Sequence, residues 1–247
     1  MKMLNPCICT LFAIFIAHYS MGQDAATIMM NQQLNNQAGL LNIRNMERSF
    51  EAQNETGRRA ISPAIKKPDT LLKQTSSLKI NHDPQISKAL RDQYISNISK
   101  TKGKDIAAKT DSFFGDIQTT FGKMITPFGL HQDNYADMLA TYLIVMWMSV
   151  NKQTQLPSVT QVQAVRNQCL CAWTSGKINP LNDKQRQIVA ETLMYQACSA
   201  VSIRQKAVST SDSKLLDQLS VQTSALLSRE GIILSNLALT NNGFIKK

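Results

Sequence analysis

Glu191 is the residue whose neighbours suit it best to chemistry. Val189, Ala190, Leu193 and Met194 surround it in sequence, and an apolar setting raises a carboxyl pKa toward general-acid use, as in glycan cleavage. The reaction would be hydrolysis of an envelope glycan such as peptidoglycan. The same sequence offers a plainer account. Thr192 and Gln187 also place Glu191 at a wet edge, where an ion pair with Arg166, Arg186 or Arg204 explains it without catalysis. That account is preferred. Asp137 has a similar one, since it falls in the first turn of a predicted helix, where negative charge is favoured without function.

Cys169, Cys171 and Cys198 form the next constellation. Two residues along a helix rotate by about 200°, so Cys169 and Cys171 face opposite ways and cannot share a metal ion or a disulfide. Cys169 and Cys198 are the only candidate pair. They lie on consecutive helices, roughly 10 Å and 24 Å from the connecting loop at about 1.5 Å per residue. That offset exceeds the roughly 7 Å Cα separation a disulfide allows, unless the hairpin crosses steeply or its loop is longer. Buried thiols acting as small apolar fillers are the preferred reading. His82 and His131, both beside helix starts, read as surface residues. No ligand-spaced motif accompanies them, so no metal is expected.

Lys88, Arg91, Lys100, Lys102, Lys104 and Lys109 form a basic stretch interrupted by Asp92 and Asp105. Tyr94 is its one aromatic, so the stacking platform of single-strand binders is missing. A phosphate- or uronate-rich polymer is the ligand class it would suit. No Ser/His/Asp order, phosphate-loop glycine pattern or dinucleotide fingerprint appears, and no cofactor is implied.

The elements that must carry these residues are helical. Asp83-Pro84 is a helix start, with Ile86, Leu90, Tyr94 and Ile98 at i+4 steps and Lys100, Lys102 and Gly103 closing it. Ile106, Phe113, Ile117, Phe121 and Met124 repeat the pattern as a second segment that Pro127 and Gly129 end. Residues 133–150, with Asp133 as cap, are apolar almost all round, which marks a helix surrounded by others. The apolar run is too short to span a bilayer. Ser158 to Gln161 and Asn182 to Gln185 have capping-box patterns opening two further helices, the second extending to about Ala207. After a polar break at residues 209–213, Leu215, Leu216, Leu219, Leu226 and Leu227 define one more. A short strand or turn is expected at Asn241-Asn242-Gly243. The fold class is therefore all-α, a multi-helix bundle over residues 83–247.

Residues 23–82 read as a polar arm and linker. The arm is rich in Asn and Gln, with a narrow apolar stripe that includes Ile43, Met46 and Phe50, so it is weakly held or folds only against a partner. Residues 62–69 contain two prolines, and the Ser/Thr/Lys-rich stretch to Asn81 offers little apolar surface. Residues 1–22 read as a secretory signal: Lys2, an apolar run from Cys7 to Ala17, and Ser20-Met21-Gly22 before a new Gln23 terminus. The alternative is an uncleaved N-terminal anchor. Cleavage removes Cys7 and Cys9 and lowers the formal net charge from +10 to +9. The surplus is uneven, with 14 basic and 8 acidic residues in 23–110 against 12 and 9 beyond. In an exported chain such a balance suits anionic envelope polymers or a plain solvated surface, and argues against nucleic acid.

Three stretches resemble a family of exported bacterial proteins of unknown function. They are Asn134-Tyr135-Ala136-Asp137-Met138-Leu139-Ala140-Thr141-Tyr142 leading to Trp147, Gln187-x-x-x-Glu191 followed by Tyr195-Gln196, and the ending Leu237-Ala238-Leu239-Thr240-Asn241-Asn242-Gly243-Phe244. The likeness covers residues 105–244. It implies a bacterial helical domain, periplasmic or secreted, and transfers no catalytic residue. The expectation is an exported non-enzymatic protein that binds an envelope or secreted partner through the arm, with the glycan hydrolase as the alternative.

Overall fold

The computed structural model describes residues 43–48, 78–174 and 180–247. The expected signal of residues 1–22, the prolines of the expected linker, Phe50 and Gly176 lie outside them. The described chain is an all-α bundle closed by one small hairpin. Its helices are α1 (Pro84–Lys102), α2 (Lys104–Phe114), α3 (Ile117–Ile125), α4 (Tyr135–Val150), α5 (Val159–Thr174), α6 (Asp183–Ser209) and α7 (Ser213–Ser228), with strands β1 (Leu237–Thr240) and β2 (Gly243–Lys246) at the end.

Local chemistry sets these boundaries. The Asp83 carboxylate accepts from the Gln85 N–H at 2.8 Å, and Gly103 at φ 92° ends α1. Ser158 and Gln161 exchange both capping-box bonds, as do Asn182 and Gln185. Two boundaries differ from the sequence expectation. The second predicted segment is divided into α2 and α3, because Gly115 takes a positive φ and the Asp116 carboxylate then caps Gln118 and Thr119. Apolar periodicity conceals the break, since Phe114, Ile117 and Phe121 are all buried. The cap of α4 is Asn134 instead of Asp133: its side chain accepts from the Ala136 and Asp137 N–H groups, while the Asp133 carbonyl accepts from Ile80 at 2.7 Å.

Helix α4 is the centre of the bundle, packed by α5, α6 and α7. Met138, Leu139, Tyr142, Leu143 and Met146 are buried, as an apolar helix without a solvent face requires. Helix α6 in turn touches α1, α3, α4 and α7. The hairpin turns at Asn241 and Asn242, pairing Thr240 with Gly243. Gly243 stands at φ 96°, and a Cβ there would meet Gln168 Oε1 at 2.3 Å. That close approach lets the Gln168 amide accept from the Phe244 N–H and donate to the Phe244 carbonyl.

The stretch read as linker up to Asn81 is partly built into the core. Leu78 and Ile80 are buried, Lys79 forms an antiparallel bridge with Asn134, and the Tyr135 N–H donates to the Leu78 carbonyl at 2.8 Å. Alternation across Leu78-Lys79-Ile80 is too short to register as a strand in sequence, yet it straps the start of α4 and delivers His82 and Asp83 to α6.

Candidate functional site

Glu191 sits in the middle of α6 where α1 and α3 cross it, and its side chain is fully buried. Three neutral donors converge on its Oε1: the Ser87 hydroxyl at 2.7 Å, the Gln118 amide at 2.8 Å and the Gln187 amide at 2.8 Å. Gln187 is itself oriented by Asp83, whose N–H donates to its Oε1 and whose carbonyl accepts from its Nε2, both at 2.9 Å. The N-terminal turn of α1 thereby fixes which end of the amide faces the carboxylate. His82 Nδ1 lies 3.6 Å from Oε1, an ion-pair distance for a protonated imidazole and too long for a good hydrogen bond. Glu191 Oε2 and both ring nitrogens of His82 are buried without a hydrogen-bond partner.

Two expectations for Glu191 are overturned here. Burial does push its carboxyl pKa up, but the nearby His82 ring and the donors Gln187, Ser87 and Gln118 outweigh it and hold the group below its ordinary 4.5. Apolar sequence neighbours mislead because they lie on other faces of α6, while the face carrying Glu191 meets polar side chains of α1 and α3. The carboxylate is ionised at neutral pH, the wrong state for a general acid. Nor do the named arginines reach it. Arg166 pairs with Asp137, Arg186 donates to the Lys79 and Leu181 carbonyls and to Asp183, and Arg204 donates to the Gln153 and Thr154 carbonyls.

His82 is also corrected, from a surface residue to a half-buried one over Glu191. Its signal was absent from local sequence, since the two residues are far apart in the chain. His131 is exposed as expected; its backbone N–H donates to the buried Asp137 carboxylate at 2.9 Å, and its carbonyl accepts from the Asn134 N–H at 3.2 Å. Asp137 therefore has two partners besides its place in the first turn of α4.

The remaining candidates do not form a second centre. Cys169 and Cys198 are buried and free, and Cys171 is exposed and free. Burial pushes the Cys198 thiol up to about 12 and the Cys169 thiol well up too. Among the described residues no group of three His, Cys, Asp or Glu side chains is placed to hold a metal ion. In the basic stretch, Lys88 is paired with Asp92 and Arg91 with Asp111, while Lys100, Lys104 and Lys109 are exposed.

No family model, curated protein or solved structure matches this chain. The stretches that carry the likeness do structural work in the bundle. Tyr142 donates to Gln196 at 3.0 Å, Trp147 donates to the Leu237 carbonyl at 2.8 Å and packs on Phe244, and Tyr195 stacks on Tyr94 with ring centres 4.3 Å apart. Among the described residues no helix is long and apolar enough to cross a membrane.

Proposed function

We propose that this is an exported, non-enzymatic helical protein that acts by binding a partner in the envelope or outside the cell. The observation that carries this reading is the enclosure of Glu191. A carboxylate with no exposed surface, held ionised by donors from α1, α3 and α6, ties helices together and has no face left for a substrate. Export is supported by the signal pattern of residues 1–22 alone. The described part of the arm supports a folding-upon-contact role. Residues 43–48 are helical, Ile43 and Met46 are buried in the main core, and the Glu47 carboxylate accepts from the Ile233 N–H at 2.7 Å. A polar helix with a narrow apolar stripe takes its order from the surface it covers, here the chain's own.

Two measurements test this. Expression of the full chain in a bacterium should yield an exported product whose intact mass begins at Gln23; retention of residues 1–22 overturns cleavage, and a product confined to the cytoplasm overturns export. Incubated with purified peptidoglycan, the mature chain should release no soluble fragments, and Glu191→Gln should behave identically. Turnover by the wild type that Glu191→Gln abolishes overturns the non-enzymatic reading.

A further inference from the structure

A single Asn-Gly bond occurs in the chain, Asn242-Gly243, and it lies at the tip of the closing hairpin. An asparagine side chain holds an electrophilic amide carbon within reach of the backbone nitrogen that follows it, so attack is intramolecular and closes a five-membered ring. A side chain on the following residue shields that nitrogen, and glycine has none. Other asparagines are tied down. Asn81 donates to Asp183, Asn134 and Asn182 cap helices, and Asn151 donates to the Trp147 carbonyl. Each of these four precedes a residue with a side chain. Asn242 is exposed, and among the described residues its side-chain amide has no hydrogen-bond partner.

The fold keeps this reactive pair in place. Gly243 has a positive φ, and a Cβ there would collide with the Gln168 amide, so a larger residue does not fit. The same close approach lets Gln168 bond both the N–H and the carbonyl of Phe244. Thr240 faces Gly243 across the last rung of the ladder. Its hydroxyl accepts from the Asn242 N–H at 3.2 Å and donates to the Gly243 carbonyl at 2.9 Å. That brace fixes the backbone on both sides of the bond, and ring closure requires the rung to open. A terminal rung beside an exposed turn opens locally, at a small fraction of the cost of unfolding.

We propose that Asn242 is a site of spontaneous modification, converting to aspartate and isoaspartate through a succinimide, with the Thr240 brace setting the rate. The Gly243 backbone nitrogen loses its proton to base and bonds to the Asn242 side-chain carbonyl carbon; the C–N bond of the amide breaks and ammonia leaves. Water then opens the ring. Addition at the side-chain carbonyl gives aspartate on the original main chain, and addition at the main-chain carbonyl gives isoaspartate. One amide and one water become one carboxylate and one ammonium ion, and nothing is oxidised or reduced. Isoaspartate inserts an extra carbon into the main chain directly before the Gln168 clamp. Phe244, fully buried and packed on Trp147, is thereby drawn from its bonds to Gln168. Aspartate leaves the length of the main chain unchanged.

Peptide mapping by mass spectrometry of the mature chain, aged in buffer, tests this. The amide-to-carboxylate mass gain should appear at Asn242 ahead of the exposed Asn236 and Asn241, and a protein-isoaspartate methyltransferase should label the same peptide. The rate should rise roughly tenfold from about pH 7 to about pH 8, because the attacking nitrogen must first lose its proton. Thr240→Val removes the hydroxyl brace and should quicken conversion by about threefold or more. Asn242→Gln, which would need a six-membered ring, should remain unmodified over the same period. The Phe244 N–H should exchange with solvent faster in the isoaspartate form than in Asn242→Asp. An Asn242 still intact when Asn236 or Asn241 has converted, or conversion without any isoaspartate, overturns the site. Equal rates in the wild type and Thr240→Val overturn the brace. The outcome is independent of the binding reading above, since neither Glu191 nor a partner takes part.

Discussion

Glu191 and Arg204 lie on the same helix, about 20 Å apart along its axis, and both are almost wholly buried. They differ in what the neighbouring helices offer them. Around Glu191, α1 and α3 bring hydroxyl and amide donors, and the charge becomes a joint between helices. Around Arg204, α4 and the loop after it bring aliphatic side chains and two carbonyls, and among the described residues no carboxylate pairs with the guanidinium. The first charge is met on one oxygen by donors from three helices, the second by two backbone carbonyls of a single loop. Burial alone thus says little about a charge; what the neighbouring elements offer it decides how much of its desolvation is offset.

That contrast breaks if truncating the two charges has equal effects. Glu191→Ala strands the donors of Ser87, Gln118 and Gln187 and leaves a cavity, and should cost about 3–5 kcal/mol in urea unfolding, with Glu191→Gln nearer 1–2. The acid limb of stability sharpens the point. Because the folded Glu191 carboxyl titrates below its ordinary 4.5, the unfolded chain takes up its proton first. Its stabilisation is complete above that value and is lost as pH falls through the folded pKa, with a slope of at most about 1.4 kcal/mol per pH unit for one proton. Glu191→Gln should flatten that part of the profile near pH 4. Arg204→Met, by contrast, should stay within about 1 kcal/mol of the wild type, since removing an uncompensated buried charge offsets the two lost carbonyl contacts. A loss as large as that of Glu191→Ala would show that the two carbonyl contacts hold the loop as firmly as the donors of Glu191 hold the helices.

The smallest effect concerns the thiols, and it asks whether burial on the helices around both sites is tight. Iodoacetamide should modify Cys171 alone in the native chain from Gln23 onward, because Cys169 and Cys198 are enclosed and their thiols are held protonated. Three adducts should appear after unfolding without reductant. A single adduct there would mean that Cys169 and Cys198 had been bridged.

Much of the architecture could be read in advance because caps and periodicity are local. Asp83-Pro84, the boxes opened by Ser158 and Asn182, and the all-round apolarity of Met138 to Met148 each declare themselves within one or two helical turns. The split at Gly115 was missed since apolar spacing ran straight through it. The strap at Leu78 and Ile80 was missed since three alternating residues carry no distinguishable period.

The sites were less legible than the helices, and for one physical reason. Sequence determined which residues are acidic, basic, thiol or imidazole, and which face of each helix turns inward. It also determined the signal pattern of residues 1–22 and the mismatch between Cys169 and Cys171 on one helix. Only tertiary structure decided what each inward polar group meets, because His82, Ser87 and Gln118 reach Glu191 across long stretches of chain. Coulomb and hydrogen-bond energies depend on distance in space and on local solvation, and neither is encoded in the spacing of residues along a chain. Hence an apolar neighbourhood in sequence became a polar enclosure at Glu191, and an arginine expected to pair with it became a cation at the edge of an apolar pocket.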